Sequence, residues 1–258
     1  MIYNPYFESV GIDAVVMPMG VRAEDYERAL RTIFKFTNIR GALITMPHKV
    51  TTCQLVDELS PTARIAGACN AILLRPDGTL LGDMFDGEGF VRGVLRKGVK
   101  LDGTRVLVVG SGGVGSAIAA SLAAAGVAEI ALFDVNAGSA NRLADRLRAH
   151  YGAALQVSTG SNDPAGYDVV VNATPLGMND GDEMPMDVSR IEPTAFVGEV
   201  VMKQEMTAFL AAAQARGCAV QVGSDMLFEQ IPAYLEFFGF PTTTPEVLRS
   251  VARLAYGA

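Results

Sequence analysis

The sequence predicts a two-domain α/β protein in which a doubly wound parallel sheet is joined to a smaller α/β unit. Three observations support this prediction. Between residues 105 and 222, six apolar runs alternate with helical patterns, which is typical of a parallel sheet with right-handed crossovers. A glycine-rich loop directly follows the first of these runs. Residues 1–85 contain shorter apolar runs around a turn sequence at 75–78, which indicates a separate unit.

The predicted strands of the larger sheet each contain an apolar run of about five residues. They are Arg105–Val109, Glu129–Asp134, Ala154–Ser158, Asp168–Asn172, Ala195–Val201 and Cys218–Val222. Helical patterns fill most of the gaps between these strands, for example at Ser139–Tyr151 and Met206–Arg216. The count of six strands is the usual one for a dinucleotide-binding fold.

The smaller unit is predicted from a second group of short elements. They are strands at Ile12–Met17, Ala42–Thr45, Asn70–Leu74 and Thr79–Gly82, and a helix at Ala23–Phe36. The chain from Met226 onward has a helical pattern, which Pro232 is expected to kink or locally break. We expect these last helices to return to the first unit. The predicted domains are therefore 1–85 with 225–258, and 86–224, with a cleft between them.

Composition limits the possible partners. The chain has 258 residues, of which 50% are hydrophobic, and a formal net charge of −7, which argues against binding to nucleic acid or to an anionic membrane. No apolar run approaches the roughly 20 residues that span a bilayer, and the N-terminal residues lack a signal-peptide pattern. Three scattered cysteines and two histidines indicate reduced thiols and no metal site. We expect a cytoplasmic monomer or homodimer.

The glycine-rich loop carries the strongest functional signal. Its sequence is Gly110-Ser111-Gly112-Gly113-Val114-Gly115, between an apolar run and a small-residue helix pattern at Ser116–Ala125. The three spaced glycines allow a tight turn, backbone approach to a pyrophosphate, and close packing of helix on strand. The next apolar run ends at Asp134, 24 positions after the first glycine, where a carboxylate can accept hydrogen bonds from a ribose. We interpret this region as a Rossmann dinucleotide-binding domain; an ordinary glycine-rich strand–helix turn is the alternative.

Three polar residues in the first half of the chain could take part in catalysis. Lys49 follows a predicted buried strand, Asn70 begins another strand, and Asp86 begins a helical segment. Taken one at a time they have simpler explanations: a surface lysine, a turn residue and a helix N-cap.

Together with the glycine loop, these residues resemble the shikimate dehydrogenase family, which includes the quinate/shikimate dehydrogenases. The resemblance extends over nearly the whole chain, in the order and spacing of six motifs. They are Thr45–Lys49, Gly67–Asn70, Asp86–Gly87, Gly110–Gly115, Asn172–Gly177 and Gly223–Gln230.

The resemblance implies a role for each matching residue. Lys49 would be the catalytic acid/base, and Asp86 would pair with Lys49 and bind the same substrate hydroxyl. The other substrate contacts would be Thr45, Asn70 and Gln230. Along the cofactor would lie the glycine loop (Gly110, Ser111, Gly112, Gly113, Val114 and Gly115), Asp134, Asn172, Ala173, Thr174, Gly223 and Met226.

The function implied is an NAD-dependent dehydrogenase that interconverts a ring hydroxyl and a ketone of shikimate- or quinate-like cyclic hydroxy acids. Hydride transfer leaves a hydroxyl proton that a positioned base must accept, and a partly neutral lysine can do so. Burial lowers the pKa of a lysine and a neighbouring carboxylate raises it, so the sequence leaves that balance open. The alternatives are a non-catalytic or regulatory NAD-binding protein of the same fold, and a folate-linked dehydrogenase of similar architecture.

The chain departs from the family pattern in its substrate half. The family opens with a strand and a two-serine motif that binds the substrate carboxylate, whereas Met1–Asn4 resembles the helix after that motif. Either the start lies upstream or the carboxylate is held differently. Met84 and Phe85 replace Asn-Thr, and Met202 replaces a tyrosine; these changes either make the pocket less polar or are packing residues.

The cofactor half departs from the family's NADP-preferring members. Asp134–Gly138 stands where those members carry a basic segment, and the next arginine, Arg142, is eight positions after Asp134. A carboxylate would repel a 2′-phosphate and accept from a ribose 2′-hydroxyl. The sequence therefore predicts NAD as the preferred cofactor, with NADP possible.

Overall fold

Two α/β lobes, each built on one sheet, make up the computed structural model, which describes residues 2–252. We call them the small lobe, with a four-stranded sheet, and the large lobe, with a six-stranded sheet. Met1 and residues 253–258, which the predicted domain ranges include, lie outside the described residues. The predicted α/β class with two sheets is confirmed; the domain limits stay a prediction.

The small lobe contains short helices and strands before residue 84. In chain order these are α1 (Tyr3–Val10), α2 (Tyr26–Ile33), β1 (Gly41–Leu43), α3 (Lys49–Thr52), β2 (Glu58–Leu59), α4 (Pro61–Ala66), β3 (Ala71–Leu74) and β4 (Leu80–Asp83). The sheet order is β1-β3-β4-β2. β3 pairs antiparallel with both β1 and β4, and β2 runs parallel to β4. The predicted helix at 23–36 is a 3-10 turn at Ala23–Asp25 followed by α2.

The predicted strand at Ile12–Met17 is wrong. Its alternating residues Ile12, Ala14 and Val16 do pack against the apolar cluster formed by α1 and the C-terminal helices. The backbone groups of Val16, however, are bonded to a side chain: Asn4 Oδ1 accepts from the Val16 N–H at 2.7 Å, and Asn4 Nδ2 donates to the Val16 carbonyl at 3.1 Å. The alternation therefore reflects one-sided burial without a neighbouring strand.

The large lobe follows directly. In chain order it contains α5 (Asp86–Arg96), β5 (Arg105–Val109), α6 (Gly113–Ala124), β6 (Glu129–Phe133), α7 (Ala137–Tyr151), β7 (Gln156–Thr159), β8 (Val169–Asn172), β9 (Phe196–Glu199), α8 (Ala208–Ala215) and β10 (Ala219–Gln221). All its strand pairs are parallel, in the order β10-β9-β8-β5-β6-β7. This is the predicted doubly wound Rossmann order, and its direction reverses between β5 and β8.

Both faces of the large sheet are buried. Along β5, Val106 and Val108 pack in one apolar cluster, and Leu107 and Val109 pack in the other. This explains why the strand appears in the sequence as a continuous apolar run rather than an alternating one. The carboxyl ends of β5 and β8 then open at one edge of the sheet, the place where such folds bind ligands.

Two C-terminal helices, α9 (Gly223–Phe237) and α10 (Pro245–Val251), return to the small lobe as predicted. Phe228, Ile231 and Leu235 of α9 pack in one cluster with residues of α1. α9 is a continuous helix through Pro232, so the expected break is absent. Apolar contacts on both sides of the proline hold the helix in place.

The lobes meet through helices. α5 packs along α9, and α4 packs against α6. Arg92 pairs with Glu236 at 2.7 Å, and Arg96 pairs with Glu229, which joins α5 to α9 by charge as well as by apolar contact. Met84 is buried with Ala63 of α4 and Ala117 of α6.

Residues 2–252 contain neither a membrane-spanning helix nor a cluster of metal-ligating side chains. No helix in that range is long and apolar enough to cross a bilayer. The same range contains no group of three or more His, Cys, Asp and Glu side chains that could hold a metal ion. Its three cysteines are free thiols.

Candidate active site

Lys49 and Asp86 form an ion pair where the small lobe meets α5. The Lys49 Nζ lies 2.7 Å from Asp86 Oδ2, and the two side chains are 19% and 9% exposed. Lys49 begins α3 after a turn in which the His48 N–H donates to the Thr45 carbonyl. The Lys49 carbonyl accepts from the Cys69 N–H at 2.9 Å. The start of α3 is thereby tied to the residue that precedes Asn70.

The carboxylate of Asp86 gathers donors from three separate parts of the chain. Besides Lys49, Asn70 Nδ2 donates to Oδ1 at 2.8 Å and Gln230 Nε2 donates to the same oxygen at 2.7 Å. We call these four residues the carboxylate cage. An ionised carboxylate only accepts hydrogen bonds, so it suits three donors. Asp86 is the first residue of α5 and its side chain makes no cap, so the N-cap alternative is wrong.

Asn70 is fixed by both its side chain and its backbone. Its Oδ1 accepts from the Phe85 N–H at 2.9 Å, its carbonyl accepts from the Ile44 N–H, and its own N–H donates to the Asp83 carbonyl. The amide group is therefore held in one orientation, with its nitrogen towards Asp86. Thr45 lies at the exposed start of the turn that leads to Lys49, and its predicted substrate contact stays a prediction.

Two aromatic residues lie beside the cage: Phe85, one of the departures from the family pattern, and Tyr234, which belongs to none of the sequence motifs. The Tyr234 hydroxyl accepts from Gln230 Nε2 at 2.9 Å. The Phe85 ring packs at 5.0 Å from the Tyr234 ring and 5.1 Å from the Phe237 ring. A signal for Tyr234 was available, since it follows Gln230 by four positions and so lies on the same helix face.

The glycine loop has the geometry that a close ligand requires. Gly110 has φ +103°, and a Cβ there would lie 2.6 Å from the Ala173 carbonyl oxygen. A Cβ on Gly115 would lie 2.0 Å from the Gly110 carbonyl oxygen, so the first turn of α6 packs directly on the end of β5. A Cβ on Gly112 would meet no atom within 4 Å. That glycine therefore leaves open space at the helix N-terminus, where phosphates bind.

Ser111 and Asp134 connect the loop to the end of β6. The Ser111 N–H donates to Asp134 Oδ2 at 2.7 Å, and the Asn136 N–H donates to Asp134 Oδ1 at 2.8 Å. Each carboxylate oxygen keeps a further lone pair for a ribose hydroxyl. The Ser111 Oγ is buried and has no hydrogen-bond partner among the described residues. An orphaned hydroxyl and open space beside Gly112 fit the phosphates of a dinucleotide.

Arg142 lies beside Gly138 and Ser139, which follow Asp134 in the chain. Its Nη2 donates to Ser139 Oγ at 3.2 Å, and a Cβ on Gly138 would be 3.2 Å from its Nη1. The helical turn of α7 brings the guanidinium back beside the residues that follow Asp134. A cation therefore lies next to the segment that follows Asp134.

Asn172 ends β8, and Ala173 and Thr174 follow it next to the glycine loop. Asn172 Oδ1 accepts from the Thr174 N–H at 3.1 Å and from its hydroxyl at 2.7 Å, and Asn172 Nδ2 donates to the Leu176 carbonyl. The side chain of Asn172 therefore shapes its own turn. Cofactor contacts of these three residues stay predictions.

Gly223 and Met226 both belong to α9. A Cβ on Gly223 would lie 2.1 Å from the Val201 carbonyl oxygen, so the helix begins directly against the chain after β9. Met226 is buried in the apolar cluster that includes Phe90. Their predicted position beside a nicotinamide remains a prediction.

Glu199, at the carboxyl end of β9, is a buried acid that sequence reasoning passed over. Its Oε2 accepts from Thr207 Oγ1 at 2.9 Å, and its Oε1 has no partner among the described residues. Burial raises the pKa of Glu199 to about 7. An acid within the apolar run 195–201 was the available signal.

Comparisons with known proteins agree with this geometry. A sequence model described as the shikimate dehydrogenase substrate binding domain matches residues 1–72, and one of the ThiF family matches residues 94–140. A shikimate dehydrogenase (NADP(+)) of Rubrobacter xylanophilus is 36% identical over 232 residues, covering 89% of this chain and 81% of that protein. This chain belongs to the shikimate dehydrogenase family. It is an NAD(P)-dependent oxidoreductase that acts on CH–OH groups.

Solved structures of similar proteins share the whole fold. Quinate dehydrogenase from Corynebacterium glutamicum, in complex with NAD, is 30% identical, with a TM-score of 0.83 over 97% of this chain and 92% of that one. A ligand-free 5-ketofructose reductase of a Gluconobacter species is 27% identical, with a TM-score of 0.87 over 97% of this chain and 91% of that one.

The three substituted positions in the substrate half have different surroundings. Met84 is buried between α4 and α6, so it is a packing residue. Phe85 packs against the aromatic ring of Tyr234, beside the carboxylate cage. Met202 is 56% exposed in the chain after β9, which leaves it accessible to a ligand rather than packed.

Proposed function

We propose that the chain is a dehydrogenase of shikimate- or quinate-like cyclic hydroxy acids that interconverts a ring hydroxyl and a ketone. The observation that carries this proposal is the carboxylate cage, in which Lys49, Asn70 and Gln230 converge on Asp86. Relatives named as shikimate dehydrogenases and a quinate dehydrogenase bound to NAD support the same substrate class.

In this proposal Lys49 handles the proton of the reacting hydroxyl. The nicotinamide dinucleotide supplies the hydride acceptor or donor when it is bound. A neutral Lys49 amine accepts the hydroxyl proton as the alcohol becomes a ketone, and the ammonium returns a proton to the ketone oxygen in the reverse direction. The Asp86 carboxylate, 2.7 Å away, holds Nζ in place.

Asn70 and Gln230 complete the proposed substrate contacts. Each amide uses N–H groups on Asp86, so the two side chains and the carboxylate form one rigid polar surface. Such a preorganised surface fixes the ring of a polyol so that one hydroxyl faces Lys49.

An activity panel tests the proposal. The protein is mixed with NAD or NADP and with shikimate, quinate or an amino-substituted analogue, and the reduced cofactor is followed by its absorbance. We expect turnover of at least one member. Lys49→Ala should lower kcat by about 10²–10⁴ without weakening cofactor binding, whereas Lys100→Ala at an exposed position should keep full activity. An inert wild-type protein, or undiminished turnover by Lys49→Ala, would refute the proposal.

We propose that NAD is the preferred cofactor, although the Rubrobacter xylanophilus relative is named a shikimate dehydrogenase (NADP(+)). The Asp134 carboxylate at the end of β6 supports this preference because it repels a 2′-phosphate. Arg142 supplies the opposing charge. The measurement is kcat/KM for each cofactor: Asp134→Asn should raise the use of NADP relative to NAD, and Arg142→Ala should lower it. A wild-type protein that uses NADP more efficiently would contradict the proposal.

A second candidate substrate class is a ketose or polyol without a carboxylate. The likeness to a 5-ketofructose reductase favours this class. Lys49 is the only cation in the cage and is already paired with Asp86, which leaves no cage cation to hold a substrate carboxylate. Adding 5-ketofructose with the reduced cofactor to the panel separates the two classes directly.

A further inference from the structure

Tyr234 is a buried residue directly behind Gln230 on α9. It is 7% exposed, and its hydroxyl oxygen lies 2.9 Å from Gln230 Nε2. The same nitrogen lies 2.7 Å from Asp86 Oδ1. A glutamine amide has two N–H donors, so Asp86 and Tyr234 together use both.

Asp86 fixes which atom of the Gln230 amide faces it, and the Tyr234 hydroxyl holds the second N–H of the same nitrogen. Asp86 already accepts from Lys49 and Asn70 and presents only lone pairs, so the amide atom turned towards it must be the nitrogen. The carbonyl oxygen Oε1 is then turned away and makes no hydrogen bond with any described residue. It is the polar atom that Gln230 presents to a ligand, and it can only accept a hydrogen bond.

Tyr234 is itself held in place. Its ring packs at 5.0 Å from the ring of Phe85 in the aromatic cluster that also contains Ala71 and Ala233. Burial, and next the charge of Asp86, raise the pKa of the Tyr234 hydroxyl well above its ordinary value. The residue therefore stays neutral and cannot swing away from Gln230 without opening the cluster.

We propose that Tyr234 is a positioning residue that locks Gln230 as a hydrogen-bond acceptor, so that the site selects a substrate with a hydroxyl group at that point. The inference rests on the proposed function in that the ligand is a cyclic polyol. A substrate carbonyl at the same point could not bond to Oε1, because both oxygens would present only lone pairs. An analogue without the hydroxyl would leave Oε1 unpaired, which polar sites discriminate against strongly.

The test compares Tyr234→Phe with Tyr6→Phe. Tyr6 is 2% exposed, and its hydroxyl donates to the Pro241 carbonyl at 3.2 Å, in a cluster away from the cage. Both variants lose one buried hydroxyl, but only Tyr234→Phe frees an amide hydrogen of Gln230. We measure kcat and KM for the best substrate of the panel and for analogues that each lack one non-reacting ring hydroxyl.

We expect wild type to discriminate against one of these deoxy analogues. In Tyr234→Phe, kcat/KM for the parent substrate should fall about tenfold, mainly through KM, which is equivalent to about 1.4 kcal/mol. The parent-to-deoxy ratio should fall by the same factor for that one analogue. Tyr6→Phe should lower the melting temperature about as much as Tyr234→Phe does. It should leave the parent-to-deoxy ratio of kcat/KM unchanged. In a Gln230→Met background, Tyr234→Phe should no longer alter the ratio.

An unchanged ratio in folded Tyr234→Phe would overturn the proposal, whether activity falls equally for parent and analogue or not at all. If Tyr234→Phe does not fold, Tyr234→Met removes the same hydroxyl and is judged by the same ratio. If wild type turns over no member of the panel, the proposed function fails, and the ratio of dissociation constants measured by calorimetry judges Tyr234 separately. Absence of binding to every ligand would overturn both.

Discussion

Replacing Glu199 with glutamine should remove a pH-dependent cost in stability. Glu199 is fully buried, one carboxylate oxygen has no partner among the described residues, and burial raises its pKa from 4.5 to about 7. Below pH 4.5 the residue is protonated in both states and costs nothing. As pH rises towards 7, the unfolded chain ionises while the folded protein keeps the proton, so stability falls. Above that pH the full penalty applies, about 3 kcal/mol at 1.36 kcal/mol per pH unit.

The assay is urea denaturation of wild type and Glu199→Gln at pH 5 and pH 8.5. The free energy of unfolding of the variant minus that of wild type should be about 2–3 kcal/mol larger at pH 8.5 than at pH 5, so the variant gains stability at the higher pH. Glutamine keeps the shape and can still accept from Thr207. Glu183→Gln, at an exposed position, should show no such difference. A gain of equal size at both pH values would refute the reasoning, because it would trace the effect to packing rather than to ionisation.

Three further predictions concern the site and the contact between the lobes. In Gly112→Ala the new Cβ meets no protein atom within 4 Å, so the variant should bind the cofactor more weakly at an unchanged melting temperature. In Gly115→Ala the Cβ lies 2.0 Å from a loop carbonyl, so both the cofactor affinity and the melting temperature should fall. Asp86→Asn places an N–H group among three donors, so kcat should fall at least about 100-fold while calorimetry finds unchanged cofactor affinity. Arg96→Met leaves the 6% exposed carboxylate of Glu229 unpaired and should lower the free energy of unfolding, measured by urea denaturation, by about 1–3 kcal/mol. Adding Glu229→Gln to this variant should restore most of the lost stability. A double variant that recovers no stability would contradict an electrostatic cause.

The large sheet could be predicted from the sequence because each of its strands is buried on both faces. A continuous apolar run such as Val106–Val109, followed by a small-residue helix, fits few other structures. The smaller sheet gave a weaker signal. Its strands have only two to four residues, and the one-sided burial of Ile12, Ala14 and Val16 has the same period as a strand.

The cage shows what a local reading of the sequence leaves out. An aspartate at the start of a helix is usually a cap, and nothing next to Asp86 in the chain indicates otherwise. Its donors come from positions 16, 37 and 144 residues away, so only the folded chain, or a resemblance to proteins of known fold, brings them together. Tyr234 was missed for another reason: an aromatic residue on a C-terminal helix is ordinarily part of the core, and its hydroxyl acquires a role only through Gln230.

The bond between Asp134 and the Ser111 N–H has a consequence for redesign of the cofactor preference. The same carboxylate that would meet the ribose also supports the backbone of the glycine loop. A small neutral residue at position 134, chosen to admit a 2′-phosphate, would leave that N–H without an acceptor, at a cost of about 1–3 kcal/mol. Selectivity and loop order would therefore change together. An exchange that succeeds should bring a new acceptor for Ser111 along with the new phosphate ligand, so such variants should arise in pairs rather than singly.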